Sequence, residues 1–333
     1  MKCLVLDYGG SAVKYGLMDD ASNLTCQGDI PAPRESLEQF VEETGKIYDR
    51  FKEEIDGIAI SFPGAFDSET GTLVFGGAYM NILMGKSILG VLKERCPVPM
   101  EIENDGKAAA LAEAWKGNLK DCKTGAAIVL GTGIGGGLIQ DGKIIRGKNF
   151  SAGEFSSIIV GSGGYIEGSA TFACSTTGIV ERAAVLKGCK ASSSMYMPMM
   201  TQTDPGYEER LRSTATGPQY PDMVMNGFEL FKLLEAGDSD IERLYKEFIE
   251  NNIRMIVNVI NIYDPDRIVI GGGISKEPRL IADLQEAGKD LLKHCLSVVR
   301  SVDIQPCYYR SSANLYGAMY NFLLRQAPEL ITH

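Results

Sequence analysis

The 333-residue chain has two histidines, His294 and His333, and a single tryptophan, Trp115. Its eight cysteines (Cys3, Cys26, Cys96, Cys122, Cys174, Cys189, Cys295 and Cys307) form no CxC or CxxC pair. Closely spaced Cys and His are what a zinc site needs, so little material for one is present. Reduced core cysteines in a cytoplasmic protein are expected instead. No apolar run reaches the length of a membrane-spanning helix. Lys2 leads directly into a strand carrying Asp7, without the apolar stretch of a targeting segment. Positive charge is also in deficit: 33 Lys and Arg against 43 Asp and Glu leave a net charge of -10. That argues against nucleic acid or an anionic membrane as the main partner. It leaves room for a local basic pocket that holds a polyphosphate. The 44% hydrophobic content suits a globular chain, and the length suits roughly two domains.

Glycine is plentiful, and its placement is informative. Residues 3–18 read CLVLDYGGSAVKYGLM, and residues 126–139 read AAIVLGTGIGGGLI. Each is an apolar β-type run, a tight turn of Gly and hydroxyl residues, then a second apolar run. That is a hairpin signature. Glycines in the turn permit positive φ and keep side chains out of the way, so backbone N–H groups can converge on an anion. Two such turns suggest two similar halves facing one polyphosphate.

The rest of the chain alternates strands and helices, which is α/β architecture. Leu37, Phe40, Val41, Ile47 and Phe51 fall at helical spacing and predict a helix near 36–54. GIAISF (57–62) reads as a buried strand, 86–95 as a helix, and VPMEIEN (98–104) as a strand feeding an alanine-rich helix at 106–117. Hairpin strands are expected over 125–145. Helices follow near 176–187, 226–236, 239–262, 278–296 and 313–326, with a strand and glycine turn at 266–275. Residues 191–223 break the rhythm and read as a loop-rich insertion with one helical turn at 206–213.

Six segments together resemble the sugar kinases of the ROK family (repressor, open reading frame, kinase), within the actin–hexokinase fold group. They are LDYGGSAVKYGLMD (6–19), SFPGAFDSETGTL (61–73), EIENDGKAAALAEAW (101–115), IVLGTGIGGGLIQDGKIIRG (128–147), SAGEF (151–155) and DPDRIVIGGGIS (264–275). The resemblance implies a two-lobed actin-like ATPase fold of ribonuclease H-like halves with an interlobe cleft. The small lobe would span 1–116, with a C-terminal helix over 313–333 packing back on it, and the large lobe 117–312. ATP and Mg²⁺ are implied as cofactors, a sugar as substrate, and a homodimer as the assembly.

By the same resemblance, Gly9, Gly10 and Ser11 form the first phosphate turn, with Lys14 a cationic neighbour. Asp7 would hold a hydrated Mg²⁺. Gly131, Thr132 and Gly133 form the second phosphate turn, and Gly272 and Gly273 contact adenosine. Asp105 is implied as the general base that takes the proton of the sugar hydroxyl. A simpler reading stands beside it, since Asn-Asp before an alanine-rich helix is also a good cap. Asn104, Gly64 and Glu154 are implied as sugar ligands, with the 6-hydroxyl toward Asp105.

One departure from the family pattern stands out. SAGEFSS has Ser156 and Ser157 where the family motif has Gly and His, and residues 161–183 lack the family's zinc segment. The chain therefore resembles a zinc-free branch, with Ser157, Thr171 or Glu167 lining the sugar pocket. Zinc-free relatives of this kind are associated with glucose, β-glucosides or N-acetylated hexosamines. Two other classes remain open. One is a non-catalytic sugar sensor or repressor, although no helix-turn-helix is expected before a phosphate turn placed this early. The other is a different actin-fold phosphotransferase or ATPase, since fold does not fix function.

Overall fold

The computed structural model describes residues 1–67, 69–294, 299 and 301–331. The chain divides into two compact units. The first comprises Met1–Ala127, Gly136–Gly153 and the chain from Cys307 on; the second comprises Ile128–Gly135 and Glu154–Pro306.

The first unit opens with β1 (Lys2–Tyr8), β2 (Ala12–Asp19), β3 (Leu24–Pro31) and α1 (Leu37–Phe51). Then come β4 (Gly57–Phe62), β5 (Ala65–Asp67), β6 (Thr72–Phe75), α2 (Met80–Leu83), α3 (Ile88–Leu92), β7 (Met100–Asn104) and α4 (Asp105–Lys116). Its sheet has the order β3-β2-β1-β4-β7. The β1–β2 and β2–β3 pairs are antiparallel, while β1–β4 and β4–β7 are parallel. β1 and β4 are buried on both faces, which is why LVLDY and GIAISF run almost without polar residues. On one face, Tyr8, Phe40, Phe62 and Tyr79 form an aromatic cluster with ring centroids 5.0–6.2 Å apart. The Tyr8 hydroxyl, buried there, pairs with Thr44 at 2.6 Å. α1 begins one residue later than its pattern suggested, because Ser36 caps it by accepting from Gln39 N–H at 3.1 Å.

β8 (Thr124–Leu130), β9 (Ile134–Gln140) and β10 (Lys143–Ile144) follow. Next are α5 (Ala170–Ala173), α6 (Thr176–Leu186), β11 (Lys190–Ala191), α7 (Tyr196–Thr203), α8 (Tyr207–Ser213), β12 (Val224–Met225), α9 (Gly227–Glu235) and α10 (Ser239–Tyr263). β13 (Arg267–Gly271), α11 (Pro278–His294), β14 (Ile304–Pro306) and α12 (Ala313–Gln326) complete the chain. The second sheet has the order β10-β9-β8-β13-β14.

α12 lies in the first unit against α4, and the alanines of α4 explain how. A Cβ at Gly317 would fall 1.7 Å from the Ala108 carbonyl, so the two backbones nearly touch. Trp115 of α4 stacks on Tyr320 of α12, with centroids 5.6 Å apart.

Several expectations need correction. The helix expected over 313–333 stops at Gln326, because Pro328 cannot continue it; a single 3₁₀ turn, Pro328–Leu330, follows. The predicted end of the 278–296 helix, with Cys295, lies outside the described residues, as does His333. The 86–95 helix is only Ile88–Leu92. Cys3, Cys96 and Cys174 are buried as expected, but Cys26 is exposed. The unit boundary does not fall at 116/117. Residues 136–153 join the first unit, where Gly137 packs under α4: a Cβ there would sit 3.1 Å from Ala110 Cβ. The insertion at 191–223 is ordered into α7 and α8 and closed by the short parallel pair β11–β12. α7 leaves no signal in its own segment because no residue of its own caps it. The cap comes from Glu181 on α6, which sequence-local reasoning does not see.

Candidate active site

In the first unit, strand register sets the arrangement. Asp7 pairs with Ser61, and Ser61 with Glu103, so one row crosses β1, β4 and β7 near the carboxyl ends of these parallel strands. Ligand sites in α/β sheets are built at such ends. Asp7 Oδ1 accepts from Ser61 Oγ at 3.1 Å and from Asn314 Nδ2 at 2.9 Å. Burial raises its pKa, and the Asn314 and Ser61 hydrogen bonds and the Lys14 charge partly offset that. Lys14 stands opposite Asp7 in the β1–β2 register and donates to the Ser311 carbonyl at 3.3 Å.

The turn Gly9-Gly10-Ser11 follows β1 directly. Gly9 N–H donates to Ala12 O at 2.9 Å, and a Cβ at Gly9 would meet that oxygen at 3.0 Å. Gly10 has only Ala78 near, at 3.8 Å. The positive φ that glycine permits is not used at Gly9, Gly10, Gly131 or Gly133, all of which are absent from that region. A Cβ would be tight at Gly9, 3.0 Å from Ala12 O, and at Gly133, 3.3 Å from Thr171 Oγ1, whereas Gly10 and Gly131 leave ordinary contact distances of 3.8 Å.

Asn104 ends β7 and caps α4, accepting from Lys107 N–H at 3.1 Å. The cap role expected of Asp105 therefore falls to its neighbour, and Asp105 is the first helical residue. Asn104 Nδ2 donates to Asp105 Oδ1 and to Gly64 O, both at 3.0 Å. Gly106 N–H also donates to Asp105 Oδ1, at 2.8 Å. Gly64 has φ +106, and a Cβ there would meet the Gly76 carbonyl at 2.8 Å. Here glycine is required both by conformation and by space. The segment after Gly76 returns to the first turn, where the Tyr79 hydroxyl donates to Gly9 O at 3.2 Å. Asn104, Asp105 and Gly64 are thus joined by hydrogen bonds, and the Gly76–Tyr79 segment beside Gly64 carries the bond to the Gly9–Ser11 turn.

Beneath Asn104 lies a polar network that sequence reasoning missed. Glu103, 1% exposed, accepts from Arg146 Nε at 3.0 Å and from the same guanidinium's terminal nitrogen, and its other oxygen accepts from Asn104 N–H at 2.9 Å. Arg146 also donates to Asn321 Oδ1 at 3.0 Å, and Asn321 Nδ2 donates to Ile102 O at 3.3 Å. Asn314 and Asn321 are seven residues apart, hence on one face of α12. Glu103 and Arg146 sit inside the motifs EIEND and IIRG, but nothing local marks them as partners.

In the second unit, Gly131-Thr132-Gly133 joins β8 to β9. Gly131 N–H donates to Gly133 O at 3.0 Å. Gly272 has φ +94, and a Cβ there would lie 2.1 Å from Leu130 O; tight packing explains this glycine. Gly273 differs, since its Cβ would meet nothing within 4 Å, leaving open space over the backbone. Glu154 precedes the 3₁₀ turn Phe155–Ser157, and Ser157 N–H donates to Glu154 O at 3.3 Å. The start of α5 packs against the next residues, with Ala170 N–H donating to Ile158 O at 2.7 Å. Thr171, expected to line the sugar pocket beside Ser157, has its hydroxyl paired with the Tyr196 hydroxyl at 3.1 Å and lies against Gly133. Its observed neighbours are therefore Tyr196 and Gly133 of the turn between β8 and β9. Among the described residues, no group of three or more His, Cys, Asp or Glu is placed to hold a metal ion.

The ROK family model matches residues 3–325. The chain belongs to the ROK family. Among its relatives, a β-glucoside kinase of Listeria monocytogenes is 29% identical over 97% of this chain and 98% of that one. An N-acetyl-D-glucosamine kinase of Escherichia coli is 24% identical over 94% and 97%. A solved ROK family protein from Streptococcus pneumoniae, in complex with sucrose, covers 98% of this chain and 100% of its own, with 24% identity and a TM-score of 0.79. At that identity the likeness speaks for the fold. The actin-like α/β reading made from the motifs agrees with it, and the sugar-kinase reading agrees with the curated relatives. Among the described residues, no helix of this ROK protein is long and apolar enough to cross a membrane.

Proposed function

We propose that this ROK protein transfers the γ-phosphoryl group of ATP to the 6-hydroxyl of a hexose or glycoside, with Asp105 as general base. The observation that carries this reading is the Asn104–Asp105 pair. A carboxylate stands at the end of a parallel strand, aimed by the Asn104 amide and the Gly106 N–H. A group so held can accept the sugar hydroxyl proton while aiming the oxygen at phosphorus. The O6–P bond forms as the bond from the γ-phosphorus to the bridging oxygen breaks. ADP leaves, and the proton passes to Asp105.

Asp7 fits the role of holding a hydrated Mg²⁺. It is a hard oxygen donor beside the first phosphate turn, and its hydrogen-bond donors Ser61 and Asn314 are neutral. The ion, when bound, supplies positive charge against the β- and γ-phosphates. Gly9, Gly10 and Ser11, with Lys14, are the phosphate contacts of the first turn; Gly131, Thr132 and Gly133 are those of the second. Gly273, with open space above it, is the adenosine contact, and Gly272 holds it in place. Asn104, Gly64, Glu154 and Ser157 are the sugar contacts.

Ser156 and Ser157, in place of the family's Gly and His, support tolerance at the anomeric end and at C2. A β-glucoside or an N-acetylhexosamine then stands beside glucose as substrate, in line with the activities of the curated relatives. A zinc-free, cytoplasmic homodimer is the accompanying expectation.

The test is ADP release with glucose, cellobiose, mannose and N-acetylglucosamine. At least one sugar should stimulate it strongly. Asp105→Asn should lower kcat by roughly 10²–10⁴ while leaving ATP and sugar binding nearly intact. No stimulation by any sugar, or a variant retaining more than about a tenth of kcat, refutes the reading.

A further inference from the structure

The ordered insertion reaches the second phosphate turn through one side chain. Tyr196, the first residue of α7, is buried, and its hydroxyl donates to the Thr132 carbonyl at 2.8 Å. The same hydroxyl pairs with Thr171 Oγ1 at 3.1 Å. Its backbone is held from below. Glu181 on α6, 2% exposed, accepts from the N–H groups of Met195, Tyr196 and Met197, the last at 2.6 Å. A buried carboxylate is costly unless its oxygens are satisfied, and the free N–H groups and positive end of a helix satisfy them. Phe172 packs edge-on to the Tyr196 ring, with centroids 6.2 Å apart. The ring has little freedom.

The neighbouring carbonyls of the turn are tied back as well. Leu130 O accepts from Thr176 Oγ1 at 2.9 Å, and Gly131 O from Thr176 N–H at 3.0 Å. Three consecutive carbonyls, those of Leu130, Gly131 and Thr132, are therefore restrained by donors from α6 and α7. Each peptide is planar and trans, so a carbonyl held in one direction sends the following N–H in the opposite one. With the Gly131 and Thr132 carbonyls pinned, the N–H groups of Thr132 and Gly133 are aimed away from Thr176 and Tyr196. Successive N–H groups presented together form an anion-binding nest.

We propose that Tyr196 is a positioning residue for phosphate binding by the second turn, acting through the Thr132 carbonyl and locked by Thr171 and Glu181. This rests on the kinase reading above and gives the 191–223 insertion a role, that of aiming the turn at the nucleotide. Thr171 then serves the nucleotide side of the reaction through Tyr196 and does not select the sugar.

The test measures dissociation constants of the full-length protein for a non-hydrolysable ATP analogue with Mg²⁺, and separately for the sugar that best stimulates ADP release. Tyr196→Phe keeps the ring and removes the hydroxyl. Loss of one such hydrogen bond should weaken analogue binding about three- to tenfold and leave sugar binding unchanged. Thr171→Val should act in the same direction, and the double variant should fall short of the product of the two, because both act through one contact. If circular dichroism shows Tyr196→Phe misfolded, Thr171→Val carries the same test. Unchanged analogue affinity overturns the proposal, as does a parallel loss of sugar affinity. Wild-type protein that binds no analogue overturns this proposal and the kinase reading together; wild-type binding with unaffected variants overturns this one alone.

Discussion

Arg146→Met removes the cation that neutralises a buried carboxylate directly beneath the proposed base. Glu103 has 2% of its side chain exposed and Arg146 has 25%. Breaking a fully buried ion pair by deleting one partner costs about 3–5 kcal/mol, mostly from the charge left without compensation. Water reaches Arg146 in part, so the expected cost is lower, about 2–3 kcal/mol. At a urea dependence of about 2 kcal/mol/M, the unfolding midpoint should fall by about 1 M or slightly more. Trp115 is the natural reporter: it is the only tryptophan, it lies in α4 of the same unit, and it stacks on Tyr320, the neighbour of Asn321. Adding Glu103→Gln to Arg146→Met removes the orphaned charge and should recover part of the loss. A second readout separates positioning from bulk stability. Glu103 fixes the Asn104 N–H, and Asn104 aims Asp105, so kcat should fall well below wild type under conditions where the variant is fully folded. KM for ATP should move little. A midpoint within about 0.3 M of wild type, together with unchanged kcat, would show that this network does not support the site.

Three further outcomes follow, two from the burial of Asp7 and one from the sequence. Burial raises the Asp7 pKa above the ordinary carboxylate value, so activity that needs the ionised form should decline on the acid side at a higher pH than an ordinary Asp would give. Excess Mg²⁺ favours the ionised form and should move that limb to lower pH, whereas an acid limb indifferent to Mg²⁺ would remove Asp7 from the metal role. The linked stability has the opposite sense: the protonated form's contribution is full below the ordinary value and is lost as pH rises through the raised one, a dependence that Asp7→Asn should abolish. The scarcity of Cys and His pairs predicts that elemental analysis of protein purified without added metal will find far less than one zinc per chain, and a full equivalent resistant to EDTA would contradict it.

The local elements were legible because their causes are local. The apolar runs LVLDY and GIAISF marked strands buried on both faces, the periodic Leu37, Phe40 and Ile47 marked α1, and the glycine turns marked the hairpin ends. The fold class and the candidate residues Asp7, Asn104 and Asp105 followed from motifs that lie within single short segments. What the sequence could not show were contacts made between distant segments. Nothing near Tyr196 marks a helix start, since its cap is a carboxylate 15 residues away on another helix. Nothing near Thr171 shows that its hydroxyl is taken by Tyr196. Glu103, Arg146 and Asn321 are separated by 43 and 175 residues. The unit boundary was misplaced for a related reason: Gly137 looks like any strand glycine until its close packing under Ala110 shows which unit it joins. Sequence by itself determined which segments fold and which residue types carry charge and hydroxyls. Only the tertiary structure decided which of those groups meet, because a hydrogen bond or ion pair between distant segments leaves no periodicity in either one.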